Sequence, residues 1–340
     1  MSCRSSNLRS NAAILWLTFC CIAGSASAQD KPWVAETATR LENLREITLS
    51  PDKSRVIVHA GDRRFRLSLP RGLFLLSPMK DAKVQDHGAT IPGGRIALGD
   101  GMVASARLTR PTNRYRHAVL GDAIEAGGLA VRFRNGGESE FSLPEDSVFE
   151  DLEPRIIALD GDEAVLTVRS YLGYGAALAL YGITDGTLTP FAESPPIGQA
   201  HRWQNPVGSA DFDGDGTDEI ASVVTPHLSG ILTLFRRADT VLEPVASLAG
   251  FSNHFIGSKV LGMHLIADIN RDGILDIVIP SLGGRRLIAV TFAGGTARVL
   301  KTIDHDSRIV TSIVMANIDK SGAPEIVYGL ANGSVTVIRR

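Results

Sequence analysis

The chain has 340 residues, 44% of them hydrophobic and 21% charged, a balance that supports a packed core and excludes an extended disordered chain. Its 35 basic and 37 acidic residues leave a net charge of −2. No basic block or stripe stands out, which excludes the usual footprint for nucleic acid.

The first 28 residues read as a secretory signal peptide. Arg4 and Arg9 make a basic start, 12–23 is apolar and uncharged, and "ASA" at 26–28 supplies small residues before a cut ahead of Gln29. The apolar run is too short for a comfortable membrane span. Cys20 and Cys21 follow "LTF" rather than a small-residue box, so a lipid anchor is not expected. The mature chain is expected to be exported, periplasmic or extracellular, with no membrane span, and to be a monomer. Cleavage removes two arginines and no acid, which takes the charge from −2 to −4. It also removes all three cysteines, Cys3, Cys20 and Cys21, so disulfides and thiol chemistry are excluded. An exported chain without disulfides draws stability from elsewhere, and bound metal is one source.

Residues 35–47 suggest a short helix. Between Glu46 and Leu69 the stretches "EITLS", "RVIVHA" and "RFRLSL" have strand character, as do "RIALGDGMVASARL", "HAVLGDAIEAGGLAVRF" and "SEFSLP" further on. Asp122 and Glu125 suggest the trace of an acidic loop.

From there the chain repeats. "IALDGDEAVLTV" begins at Ile157, "ADFDGDGTDEIASVV" at Ala210, "ADINRDGILDIVI" at Ala267 and "ANIDKSGAPEIVY" at Ala316. Their last acids, Glu163, Glu219, Asp276 and Glu325, are 56, 57 and 49 residues apart. Short β-branched runs parted by Gly, Pro and Asp fill the spaces, so each unit reads as strand, acidic loop, strand, hairpin, strand, turn, strand. That period suits one four-stranded propeller blade. The final unit has only three strands, the last following the hairpin pair Asn332-Gly333. An N-terminal strand from the Glu46–Leu69 region is expected to complete it. The fold expected is all-β: one β-propeller over residues 29–340, with repeats clearest at 150–340. Seven blades are expected, with six or eight open, and the N- and C-terminal strands pair to close it.

The acidic loops follow D-x-[DN]-x-[DS]-G-x-x-[DE]. In the first, Asp211, Asp213 and Asp215 occupy positions 1, 3 and 5, Gly216 position 6 and Glu219 position 9, with the carbonyl of Thr217 at position 7. Alternate side chains converge when such a loop curls, and oxygen ligands in that number suit Ca2+ better than Mg2+. An EF-hand needs an acid at position 12, where Ser222 and Ile279 stand. The second loop offers Asp268, Asn270, Asp272 and Asp276 with the carbonyl of Ile274. The third offers Asn317, Asp319, Ser321 and Glu325 and is the weaker site. The worn one, with Asp160, Asp162 and Glu163, is expected to be a plain hairpin. "DFDGDGTDEI" and "DINRDGILDI" resemble the calcium-binding FG-GAP/VCBS repeats of integrin α-subunit propellers and bacterial secreted proteins. The resemblance implies a β-propeller and calcium on those first two sets of residues. It implies no single activity.

No zinc-protease, nucleophile-elbow or P-loop motif is present, so no catalytic residue is assigned. Two polar stretches precede first strands: "QAHRWQNPVG", with His201, Arg202, Trp203 and Asn205, and "GFSNHFIGSK", with Asn253, His254 and Lys259. They are candidates for a ligand site; the plainer expectation is that Trp203 packs between blades and the polar groups cap turns. The function expected is a calcium-stabilised scaffold binding a protein or a glycan. The alternative is a lyase-like enzyme acting on polysaccharide, which calls for a deep axial pocket with convergent titratable groups.

Overall fold

The computed structural model describes residues 33–80 and 91–339; the expected signal peptide at 1–28 lies outside them. Among the described residues the regular structure is β-strand, apart from two single-turn 3₁₀ segments. Among the described residues no helix is long and apolar enough to cross a membrane.

The strands group into antiparallel meanders of four. The first unit is Leu44–Leu49, Val56–Ala60, Arg63–Ser68 and Leu75–Pro78. The second is Ala97–Leu98, Val103–Thr112, Glu125–Phe133 and Glu138–Ser142. The third is Arg155–Leu159, Asp162–Tyr171, Gly175–Thr184 and Thr187–Glu193. The fourth is Gln204–Ala210, Glu219–Val224, Ile231–Ala238 and Val241–Ala249. The fifth is Leu265–Ala267, Asp276–Pro280, Arg286–Thr291 and Arg298–Asp304. The sixth is Val314–Ala316, Glu325–Gly329 and Ser334–Arg339, completed by Val34–Arg40. Units two to four join into one 13-stranded sheet through the short strand Ser147–Phe149 and a single parallel pair, Glu193 with Val241. The described strands thus form six meanders.

Val34–Arg40 corrects two expectations. It is an extended strand where a helix over 35–47 was expected, and its partner is Ser334–Arg339, with Val34 opposite Arg339 and Arg40 opposite Ser334. The candidates between Glu46 and Leu69 instead build the first unit. The physical reason is tertiary. "VAETATR" has weak local preference, and an unpaired edge at Ser334–Arg339 takes any extended segment of the right length.

Burial falls outward across each unit. Second strands such as Asp276–Pro280 and Glu325–Gly329 are buried throughout, and fourth strands such as Arg298–Asp304 are largely solvent-facing. This is why the second strands read as unbroken apolar runs. The apolar clusters lie between successive units. One joins the sixth to the first through Ile47, Val58, Val327 and Val337; another joins the fourth to the fifth through Leu232, Leu234, Ile277 and Ile279. The first strands and their lead-ins face a common cavity of about 620 Å³, to which all six units contribute, from Glu46 and Thr48 through Arg95, Arg155, Gly208 and His264 to Ser312. Face-to-face meanders around a shared cavity make a β-propeller-like arrangement.

Candidate functional site

The acidic loops join first to second strands in units four, five and six, so all three open at the same end of the units. Their geometry repeats. Ala210, Ala267 and Ala316 pair with Glu219, Asp276 and Glu325. In each loop the last acid, at most 2% exposed, accepts a backbone N–H seven residues earlier. Phe212 donates to Glu219 Oε2 at 3.0 Å, Ile269 to Asp276 Oδ2 at 2.8 Å, and Ile318 to Glu325 Oε2 at 2.8 Å. Position 6 is left-handed in all three, at φ 90°, 90° and 97° for Gly216, Gly273 and Gly322, which is why glycine stands there. Strands flank every loop, as the exclusion of an EF-hand requires.

The first loop gathers its carboxylates. Oxygens of Asp211, Asp213 and Asp215 lie within 4.8 Å of one another. Asp211 accepts from the N–H groups of Gly214, Asp215 and Gly216 at 2.7, 3.1 and 2.9 Å. Arg236, on the third strand of the same unit, joins the carboxylates through strand pairing and is not signalled by the loop motif. Its Nη2 is 3.1 Å from Asp213 Oδ2 and 3.0 Å from Asp215 Oδ2, and it also contacts Glu219. Asp218, the fifth acid of the stretch, faces away. Its Oδ2 accepts from Asp160 N–H at 2.9 Å, and its own N–H donates to Asp160 Oδ1 at 3.0 Å. Asp160 sits in the two-residue turn between Leu159 and Asp162, the plain hairpin expected there.

The second loop has the same frame without an arginine facing it from the third strand. Asp268 accepts from Arg271, Asp272 and Gly273, and Asn270 Nδ2 donates to Asp272 Oδ2 at 2.7 Å. The residue matching Arg236 by strand register is Thr291. Asp276 is fully buried, its Oδ1 has no hydrogen-bond partner, and burial raises its carboxyl above the ordinary range. In the third loop Asp319 is held by Ser321 N–H at 2.6 Å. Its register match to Arg236 is Arg339, which turns to Glu36 on the N-terminal strand. The all-oxygen donor sets suit a hard divalent cation, and the orphaned buried oxygen of Asp276 is what such an ion would satisfy.

The polar stretches divide. Trp203 is buried, its Nε1 donates to the Glu150 carbonyl at 2.8 Å, and its ring stacks on His227. Asn205 and Asn253 are fully buried and exchange bonds across units. Asn205 Nδ2 donates to the Asn253 carbonyl, and Asn253 Nδ2 donates to the Asn205 carbonyl, each at 3.1 Å. His254 is buried between His227 and the Ser258 carbonyl, and burial lowers its pKa to about 3. Lys259 pairs with Asp122 at 3.3 Å. Asp122 and Glu125 follow a second strand, so they are not the trace of an acidic loop between first and second strands. His201 and Arg202 do open onto a cleft of about 160 Å³, where His117 and His227 join them. No local spacing announced those two, because they arrive from other connections.

The axial cavity also carries charge that sequence reasoning did not single out. Arg95 pairs with Glu153 at 2.6 Å, and Arg155 with buried Asp151 at 2.6 Å. Glu46 accepts from Ser312 N–H at 2.8 Å, and its carboxyl is raised by burial.

No protein-family model matches the chain, and no curated protein matches it. Among solved structures it is similar to the WD40 domain of Toxoplasma gondii coronin. The two are 11% identical with a TM-score of 0.49, over 91% of this chain and 86% of that one.

Proposed function

We propose that the protein is an exported, calcium-binding β-propeller of six blades that acts as an interaction scaffold for a protein or glycan partner. Its ring closes where Val34–Arg40 meets Ser334–Arg339. The observation that carries this reading is the buried, unpartnered Oδ1 of Asp276 within a loop frame that recurs three times. Asp268, Asn270, Asp272 and Asp276, with the Ile274 carbonyl, would hold the ion. Asp211, Asp213, Asp215 and Glu219, with the Thr217 carbonyl, would do so once Arg236 moves aside. Asn317, Asp319, Ser321 and Glu325 form the weakest set. The ion supplies positive charge among clustered carboxylates and no bond-making chemistry, so its binding energy adds to folding. The likeness of these loops to FG-GAP/VCBS repeats supports the same reading. Calorimetric titration of the chelator-treated protein with Ca2+, paired with thermal melts, tests it. Uptake with a rise in melting temperature is expected; no uptake and an unchanged melt would remove calcium from the account.

A second reading, an enzyme acting on polysaccharide, draws on the axial cavity, where Glu46, Arg95, Glu153, Arg155 and His264 converge. The pairing of its arginines with carboxylates favours a binding role over a reactive one. Release of reducing or unsaturated ends from neutral and acidic polysaccharides would establish the enzyme.

A further inference from the structure

Four of the eight histidines gather at the end of the units opposite the acidic loops, brought there by four separate connections. His117, His201 and His227 line the 160 Å³ cleft, and His254 lies behind His227. The outer nitrogens of two of the three rings are anchored. His117 Nδ1 is 2.6 Å from Glu150 Oε1, a carboxylate with no solvent exposure. His254 Nε2 donates to the Ser258 carbonyl at 2.9 Å, which leaves its Nδ1 to accept from His227 Nε2 at 2.9 Å. His227 Nδ1 therefore carries a lone pair, and so does His117 Nε2 when the Nδ1–H donates to Glu150. His201 has no ring hydrogen bond among the described residues. An imidazole whose far N–H is held by a carboxylate or carbonyl is the usual supporting arrangement of a metal ligand.

The spacing agrees. Two imidazoles on one tetrahedral zinc, at Zn–N of about 2.0–2.1 Å, place their ring centroids about 5 Å apart, and those of His117 and His201 are 5.2 Å apart. The backbone is strained at the same place: His201 and Thr225 are left-handed at φ 57° and 47°. A β-branched residue adopts that conformation only under compulsion, and such strain collects at functional sites.

We propose that this cleft binds a transition-metal ion through His117, His201 and His227, with Zn2+ as the first ion to test. The histidine nitrogens do not converge as the Asp211, Asp213 and Asp215 oxygens do, so the ion has to draw the three connections together while the Glu150 and His254 bonds keep the rings oriented. The site is separate from the calcium loops and stands whether or not they bind. It is tested by titrating the full chain with Zn2+ in millimolar Ca2+, and with Co2+ followed by visible absorption, which reports tetrahedral nitrogen ligation. One equivalent of Zn2+ is expected. His201→Ala, at the exposed rim, and His227→Ala, partly buried in the cleft wall, should each weaken it at least tenfold. Glu150→Gln should weaken it tenfold to a hundredfold with all three ligands retained, and Asp276→Asn should leave it unchanged. Circular dichroism confirms folding, and His201→Ala decides if Glu150→Gln or His227→Ala does not fold. Absence of stoichiometric uptake, uptake that survives the histidine substitutions, or uptake lost in Asp276→Asn would overturn the proposal.

Discussion

Arg236 Nε donates to Glu219 Oε1 at 3.0 Å, which sets a guanidinium beside a carboxylate that has no solvent exposure. The same guanidinium reaches Asp213 and Asp215, so the first loop already contains a cation of its own. Removing one partner of a buried ion pair leaves a charge uncompensated. Arg236 keeps 29% of its side-chain surface exposed, so the cost is reduced by solvent. Arg236→Gln should lower stability by about 2 kcal/mol in chelator, and Ca2+ should restore more stability to the variant than it adds to the native protein. Urea unfolding with and without Ca2+ measures both. Equal calcium responses would show that Arg236 and the ion do not share a place.

The second loop makes the opposite prediction. With Thr291 where the first loop has Arg236, Asp276 lacks the guanidinium that Glu219 has, and its buried Oδ1 has no hydrogen-bond partner. Asp276→Asn keeps the side chain's shape and removes its charge. At free Ca2+ a hundredfold above Kd, binding adds about 2.7 kcal/mol, and the substitution should abolish most of that gain. Asp319→Ala in the third loop should leave it nearly intact. Thermal melts across a calcium series separate the two. A larger loss from Asp319→Ala would reverse the order of the sites.

The unit period, the strand–loop–strand order of units four to six, and the three-stranded end of the chain were legible because each rests on local pattern. Gly216, Gly273 and Gly322 mark the loop turns directly in sequence. What was not legible depends on distant partners. Val34–Arg40 takes its conformation from Ser334–Arg339, some 300 residues away. Arg236 joins the acids through strand pairing and not through spacing. Asn205 and Asn253 read as ligand candidates because buried polar residues that bond across units look, in sequence, like exposed ones. The histidine cleft is assembled from connections of several units, so no window of residues contains it.

The pairing of the chain ends predicts the effect of losing them. Deleting residues 1–40 leaves Ser334–Arg339 as an open edge, with its N–H and C=O groups unpaired. The truncated protein should melt at a lower temperature and associate, seen by size-exclusion chromatography. Glu36→Ala should by contrast shift stability by no more than about 0.5 kcal/mol, because both side chains of the Glu36–Arg339 pair are partly exposed. A truncation that melts like the full chain would show that this strand pairing does not hold the fold together.

Glu125 is one buried group that makes stability depend on pH. It is 2% exposed, its Oε1 has no partner, and burial, reinforced by Glu150, Asp122 and Asp151, raises its pKa from 4.5 to about 9. Across that window the folded state holds a proton that the unfolded chain has released, so the contribution is complete below 4.5 and stability falls as pH rises toward 9. At pH 7 the cost amounts to as much as about 3 kcal/mol, from 1.36 kcal/mol per unit of pKa difference. Glu125→Gln supplies a neutral side chain of the same size at every pH. It should therefore stabilise the protein at pH 7, by progressively less as the pH falls, and hardly at all at pH 4. Denaturant unfolding of both proteins from pH 4 to pH 8 measures the difference. A stability gap that stays constant over that range would mean Glu125 does not carry the extra proton.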